Sequence, residues 1–279
     1  MPRDVIVIAR PESRIDQLLA VHLADEKLGC RRLDEPVAAD DHPLIIDQRR
    51  IEWGGVNLLD AAALVVEVPL YPWPQEAGAD GGERYRARQR RSLRISALRL
   101  AAARLAVINP PARAAELAAS PALALLRCAR AGLPVVEWRL GVEADATVPS
   151  LDCLGADDGC VPPPASERLS FPGLALPVFE ILVVGRDAIA CREVTDFDRS
   201  VVGGAEPRAA VDPALGRVAA EATAGLGLEV AAVRMTSSGR IVLVDAAVDL
   251  AGWLESVIDV GAALARRIVE MVDASGETR

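Results

Sequence analysis

Short apolar segments alternate with helical patterns along the first part of the chain, and this alternation constrains the fold more than any other feature. The run from Val5 to Ile8 is continuously β-branched, which is typical of a buried strand. Apolar residues at helical spacing follow: Ile15, Leu18, Leu19 and Leu23. Strand segments that alternate with helices are the sequence form of an α/β layer. The chain is therefore predicted to begin with an α/β domain.

The remaining elements follow from the same periodicities and from the positions of Pro and Gly. A hairpin turn is predicted at residues 47–49, and the proline-rich run at 69–74 ends a strand because proline lacks the backbone donor. Strands are predicted at 44–47, 50–53, 63–68, 105–108, 177–184, 187–193, 228–235 and 240–246. Helices are predicted at 83–106, 121–131, 214–226 and 257–272, and a further helix is predicted to begin at about residue 112. Residues 141–176 show no sustained periodicity and are predicted to be an irregular loop.

Composition narrows the classes of function. The chain has 279 residues, of which 51% are hydrophobic, and a net charge of −9. Nucleic-acid binding is not expected, because neutralising phosphates requires an excess of positive charge. No apolar run reaches the length of a membrane span, and the first residues lack a signal-peptide pattern. A cytoplasmic protein without a membrane segment is expected.

The cysteines do not indicate a disulfide framework. The five residues are an odd number without a closely spaced pair, so reduced thiols are expected: Cys30, Cys128, Cys153, Cys160 and Cys191. Cys153 and Cys160 flank an acidic loop, but neither histidine is near them in sequence and no zinc-ligand spacing occurs. No metal site is predicted there, and whether these two thiols interact is left open.

The helix predicted at 83–106 is rich in arginine, which is conspicuous in an acidic chain. Arg84, Arg88, Arg91 and Arg94 are its candidate docking residues. One interpretation is a solvated helix face that pairs with carboxylates of the same chain. The other is a docking surface for an acidic peptide or a polyglutamyl ligand, since the planar guanidinium suits bidentate carboxylate binding.

Four stretches of the second half carry a resemblance to a known family. They are Asn109-Pro110-Pro111 with the segment 125–135, the segment 179–190, the segment 226–235 and the segment 241–248. In their sequence and order they resemble the carboxylate-amine ligases of the ATP-grasp superfamily, particularly the RimK-like branch and the graspetide ligases. The resemblance implies an α/β (α+β) fold with a pre-ATP-grasp domain at residues 1–104. Residues 105–279 would be a truncated ATP-grasp-like domain that contains the irregular loop at 141–176 and lacks most of the lid.

Residues on which that family's chemistry depends are replaced in this sequence. Lys27 is the only lysine, and the phosphate-binding lysine expected after the asparagine-proline turn is replaced around Ser120-Pro121. The resemblance places the magnesium aspartate at Arg234 and its glutamate partner at Asp245, and the following asparagine is Ala247. No catalytic, cofactor-binding or metal-binding residue is therefore assigned.

Arg234 and Asp245 lie in the two strands of one predicted hairpin. We expect them to form a partly buried ion pair in which a guanidinium replaces the magnesium ion, because carboxylates that have lost a cation repel each other. The alternative is that Arg234 points to solvent, because the register of the hairpin is not fixed by its sequence.

Three functions remain open at this level. The first is a catalytically inactive ATP-grasp homologue, or pseudoenzyme, without a cofactor, which serves as subunit, scaffold or substrate-presenting partner of a biosynthetic enzyme. The second is an active ATP- and magnesium-dependent carboxylate-amine ligase, for glutamate or peptides, with arginines as phosphate contacts. The third is a small-molecule binding protein that uses the former interdomain cleft. A protein partner, a homodimer or both are expected.

Overall fold

The computed structural model describes residues 4–9, 13–34, 44–47, 49–66, 81–110, 113–114, 116–117, 120–141, 150–152, 168–195, 210–246, 248 and 250–276. The chain divides into two compact units. Unit 1 comprises Met1–Ala114 and Asp249–Arg279, and unit 2 comprises Ala115–Val248. The predicted domain boundary between residues 104 and 105 stays a prediction, because contacts within a unit do not define a segment that folds on its own.

Unit 1 is built on a parallel sheet of four strands. The strands are β1 (Asp4–Ala9), β2 (Gly29–Asp34), β6 (Ala63–Val66) and β7 (Ala106–Ile108), in the order β2-β1-β6-β7. Residues 5–9 of β1 are all apolar and buried, as expected for the inner strand of a parallel sheet covered on both faces. The predicted α/β layer is therefore present.

A small antiparallel sheet completes the strands of unit 1. It contains β3 (Leu44–Ile46), β4 (Ile51–Trp53) and β5 (Val56–Asn57), followed by a 3-10 turn at Leu58–Asp60. The carboxylate of Asp47 accepts hydrogen bonds from the backbone N–H groups of Arg49 and Arg50, which closes the predicted turn between β3 and β4.

Four helices of unit 1 lie within the described part of the chain: α1 (Ile15–Asp25), α2 (Gly81–Ala102), α5 (Leu250–Ser256) and α6 (Ile258–Gly276). Helix α1 packs against α5 and α6. Gly261 of α6 permits close packing, because a Cβ atom added there would overlap the imidazole ring of His22. Among the described residues, no helix combines the length and the apolar character needed to cross a membrane.

Unit 2 contains an antiparallel sheet of four strands with a helix on one face. The strands are β11 (Val178–Val184), β12 (Asp187–Val194), β13 (Val230–Met235) and β14 (Ile241–Asp245), in the order β12-β11-β13-β14. Helix α4 (Pro213–Gly225) packs on all four strands. Both predicted hairpins and the predicted helix are therefore confirmed.

The segment 141–176, predicted as one irregular loop, contains two short strands. These are β9 (Ser150–Asp152) and β10 (Arg168–Ser170), which form an antiparallel sheet with β8 (Arg139–Gly141) in the order β8-β10-β9. The prediction was wrong for β9 and β10 because three residues are too few to show a sequence period. Helix α3 (Pro121–Arg130) precedes this sheet, with Pro121 in its first turn as predicted.

Candidate functional site

A buried carboxylate lies in the middle of the unit 2 sheet. Glu180 is on β11, one of the two inner strands, and its side chain is 3% exposed. The register places it directly opposite Arg234 of β13 on one side and Arg192 of β12 on the other. Because directly opposed residues share a sheet face, the three side chains meet on one face.

Helix α4 covers the opposite face of the sheet. A Cβ atom added to Gly216 of α4 would lie 3.0 Å from the Cβ of Ala188, and Ala188 pairs with Val183. Val183 is three residues from Glu180, so the two side chains point to opposite faces of β11. The charged side chains therefore occupy the face that α4 does not cover.

Two arginines share the Glu180 carboxylate. Arg234 donates through Nε to Oε1 at 2.9 Å, and Arg192 donates through Nε and Nη2 to Oε2. Arg234 is buried and Arg192 is partly exposed. Each carboxylate oxygen thus receives a charge-assisted hydrogen bond, which offsets the cost of removing Glu180 from water. We call these three residues the ionic bridge.

The ionic bridge does not fit a magnesium site. Magnesium prefers oxygen ligands, whereas the position at which the resemblance places the metal aspartate, residue 234, carries a guanidinium. This guanidinium is bonded to a carboxylate and adds positive charge where a divalent cation would have to bind. Among the described residues, no group of three or more His, Cys, Asp or Glu side chains could hold a metal ion.

Asp245 ends β14 and is partly buried. It pairs with Ala232, while Arg234 pairs with Leu243, so Arg234 and Asp245 occupy the same sheet face one pair apart. The register is compatible with the predicted ion pair between them, which stays a prediction. Ala247 lies outside the described residues.

The expected phosphate-binding lysine also has no counterpart. Ser120 precedes α3, and Pro121, at the first position of the helix, is buried. Lys27, the only lysine of the sequence, lies in the turn that follows α1, with a positive φ of 59°. Neither Ser120 nor Pro121 carries an ammonium group, which the resemblance places at this point of the sequence.

The four candidate docking arginines all lie on helix α2. Arg94 is partly buried, and its guanidinium lies 5.4 Å from the ring centroid of Trp53, within the range of a cation–π interaction. The side chains of Arg84, Arg88 and Arg91 lie outside the described part of the structure. Their role in docking stays a prediction, and Arg94 already has a contact within unit 1.

Two cysteines lie in environments that suppress the thiolate. Burial is the main cause that raises the pKa of Cys30 to about 11, with added repulsion from Asp16 and Asp4. Burial likewise raises the pKa of the Cys128 thiol to about 11. Both residues are free thiols, in agreement with the expectation from sequence, whereas Cys153 and Cys160 lie outside the described residues.

Unit 2 also has an open groove of about 610 Å³ beside α4. Small residues, Ala188, Gly216 and Ala220, form part of its lining, and Arg217 and Glu221 line it as well. Neither Glu180 nor its two arginines line this groove. The groove and the ionic bridge are therefore separate features.

Glu180 and Arg192 were not among the residues singled out from the sequence. The available signal was a single carboxylate in β11, whose other residues are apolar. A buried charge in such a strand requires a partner of opposite charge. Its partners lie on two different neighbouring strands, 12 and 54 residues away, so only the strand order identifies them.

The chain matches no protein-family model, and no curated protein matches its sequence. It is similar in structure to the ATP-grasp ligase PsnB, solved with a phosphomimetic variant of a minimal precursor, Mg and ADP. The TM-score is 0.72 at 16% identity, over 97% of this chain and 99% of that chain.

Two further structures show the same similarity. One is the macrocyclase MdnC from Microcystis aeruginosa MRC bound with precursor peptide MdnA, with a TM-score of 0.69, 12% identity and coverage of 95% and 99%. The other is a RimK domain ATP-grasp protein from Sphaerobacter thermophilus DSM 20745, with a TM-score of 0.57, 15% identity and coverage of 95% and 98%. The chain therefore has the ATP-grasp ligase fold, as the sequence resemblance predicted.

Proposed function

We propose that this protein is a catalytically inactive relative of the ATP-grasp ligases that serves as subunit, scaffold or substrate-presenting partner of a biosynthetic enzyme. Fold alone does not determine chemistry, so the proposal depends on the site. PsnB and MdnC, which share the fold, are ligases solved with precursor peptides. A peptide or a peptide-modifying enzyme is accordingly the partner we propose.

The observation that carries the proposal is the bond between Arg234 Nε and Glu180 Oε1, 2.9 Å long and buried. Magnesium in an ATP-dependent ligase neutralises charge that develops on the phosphates, and it must be held by oxygen ligands to do so. Here the residue at the metal position is itself a cation and is fixed by a carboxylate of the neighbouring strand. The site is thus stabilised without a metal ion and repels one.

The active ligase remains the competing function. Arginine binds phosphate well, so the loss of lysine alone does not exclude nucleotide binding. The positive charge of Arg234 favours the inactive protein, because it opposes magnesium binding. A ligase that follows the family's chemistry needs magnesium, whereas a scaffold does not. Dependence of nucleotide binding on magnesium is therefore the property to measure.

We would titrate the purified protein calorimetrically with ATP and with a nonhydrolysable analogue, each with magnesium and with EDTA. PsnB measured in parallel is the positive control, because that ligase has been solved with Mg and ADP. We expect no magnesium-dependent binding of either nucleotide to this protein. Sub-millimolar binding that requires magnesium would contradict the proposal and support the ligase.

A pair of variants tests whether Arg234 prevents magnesium-dependent nucleotide binding. Arg234→Met removes this cation from the ionic bridge. The control, Arg186→Met, changes an exposed arginine in the turn between β11 and β12 and leaves the bridge intact. If nucleotide binding that requires magnesium appeared in Arg234→Met alone, the guanidinium would be the excluding group. Binding in the unaltered protein would instead contradict the assignment of Arg234 as that group.

A further inference from the structure

Helix α2 presents an apolar line to solvent. Leu93 and Leu100 are 54% and 49% exposed, although their neighbours Ala97, Leu98 and Ala101 are fully buried. The two leucines are seven residues apart, which places them on the same side of the helix at a separation of about 10 Å. A solvated helix face is normally polar, so two aligned leucines on the outer side of α2 require an explanation.

Helix α2 is rich in arginine. It contains seven arginines and one glutamate in a chain whose net charge is −9. Arg99 is exposed and directly precedes Leu100 in the sequence, and position 86 lies one heptad before Leu93 on the same side of the helix. An arginine position therefore accompanies each of the two leucines along the helix. We call Leu93, Leu100, Arg99 and position 86 the α2 stripe.

From this arrangement we infer that the α2 stripe docks an acidic amphipathic helix of a partner protein, with apolar residues at heptad spacing and carboxylates beside them. Two leucines at this spacing match the apolar residues of such a helix, and arginines match its carboxylates. The choice of a protein as the partner rests on the proposed function, in which this chain serves a biosynthetic enzyme.

Two other occupants agree less well with the stripe. In a two-fold dimer that uses the same patch, α2 would face its own copy, and the arginine-rich helices would repel each other. An anionic membrane surface requires a broad apolar face, whereas Ser96 separates the two leucines here. An acidic helix satisfies both the apolar and the charged residues.

The test uses a fluorescein-labelled synthetic helical peptide with two leucines at heptad spacing and glutamates at the flanking positions, together with a scrambled peptide of the same composition. Binding to the full chain is measured by fluorescence anisotropy at low and high salt. We expect the patterned peptide to bind more tightly than the scrambled one. The double change Leu93→Ser and Leu100→Ser should weaken binding roughly tenfold or more, and Arg99→Glu by several-fold with a smaller salt dependence.

Matched controls keep the result specific to the stripe. Val21 of α1 is also an exposed apolar helix residue, and Arg266 of α6 is an exposed arginine of unit 1. Val21→Ser and Arg266→Glu should leave the affinity unchanged. Far-ultraviolet circular dichroism of every variant checks that α2 remains folded, which we expect because both leucines are half exposed.

Several results would overturn the inference. Equal affinity for the two peptides, no binding to the unaltered chain, or equal losses in the Val21 and leucine variants would each do so. Self-association of the chain that disappears in the leucine variant would assign the stripe to a second copy, and leucine-dependent binding to phosphatidylserine vesicles would assign it to a membrane. Magnesium-dependent nucleotide binding would instead contradict the proposed function and leave the peptide result standing.

Discussion

The two larger sheets of the molecule differ in what their inner strands bury. In unit 1, residues 5–9 of β1 are apolar, and the parallel sheet is stabilised there by hydrophobic burial. In unit 2, the inner strands β11 and β13 bury Glu180 and Arg234 among apolar neighbours. Apolar residues can be exchanged if volume is kept, whereas each charge of the ionic bridge requires the others. The two units should therefore respond differently to single substitutions.

The largest effect is expected from Glu180→Ala. This change leaves Arg234 buried without the carboxylate to which its Nε is bonded, and we expect a loss of about 3–5 kcal/mol in the free energy of unfolding. Chemical denaturation followed by circular dichroism measures it. Glu193→Ala, at an exposed position of β12, is the matched control and should change stability by less than about 0.5 kcal/mol.

Replacing all three members of the ionic bridge by apolar residues tests whether buried charge explains the difference between the two sheets. We expect Glu180→Leu combined with Arg192→Met and Arg234→Met to recover most of the stability lost in Glu180→Ala, because no uncompensated charge remains buried. If the triple variant were as unstable as Glu180→Ala, the loss could not be attributed to an uncompensated buried charge.

In unit 1, Leu64→Ala on β6 tests the apolar counterpart. Leu64 is fully buried, and removing its side chain should cost about 2–5 kcal/mol through lost burial and the resulting cavity. Leu64→Met should cost less than about 1.5 kcal/mol, because volume and polarity are nearly conserved. A large loss in Leu64→Met, measured by the same denaturation, would show that unit 1 is as specific in its packing as the ionic bridge.

A smaller effect is expected at the contact between α1 and α6. Gly261→Ala places a methyl group against the imidazole of His22 and should destabilise the protein by about 1 kcal/mol, because the partly exposed ring must move aside while alanine favours the helix. The double variant with His22→Ala should recover most of that loss, and a double-mutant cycle measures the coupling. Independent effects of the two changes would contradict direct packing of these residues.

The smallest effect concerns two thiols, one in each unit: Cys30 is partly buried and Cys128 is buried. Because the fold raises the pKa of Cys30 and Cys128 to about 11 from 9.0, their thiolates form in the folded protein only as the pH passes about 11. Their contribution to stability is therefore complete below pH 9 and is lost as the pH rises through the folded pKa. At pH 8 we expect slow alkylation of both in the native protein and fast alkylation in denaturant, measured by peptide mass mapping.

Much of the fold follows from sequence where periodicity is strong. Both hairpins of unit 2 were predicted because their strands are rich in apolar residues and flank short turns. Strand β2 was not predicted, because Gly29–Asp34 is an edge strand that contains Arg31 and Arg32. Edge strands carry charge without loss of pairing, so their composition resembles that of a loop.

The site was predicted less well than the fold. The family resemblance placed a metal ligand at Arg234 and its glutamate partner at Asp245, and the predicted hairpin led to the expectation that these two residues pair. In the structure β13 also pairs with β11, and the carboxylate bonded to Arg234 Nε comes from that other side. The order of strands in a sheet depends on long-range packing, and a hairpin pattern shows only one of the two neighbours of a strand.

The ionic bridge also determines what a single change to a metal-ligating residue at position 234 would do. Changing Arg234 to Asp alone would place a second carboxylate opposite Glu180 and leave Arg192 as the one cation of the bridge. Such a variant should be destabilised when no divalent cation is present. A carboxylate at position 234 therefore needs either a bound cation or a second change at Glu180 to compensate its charge.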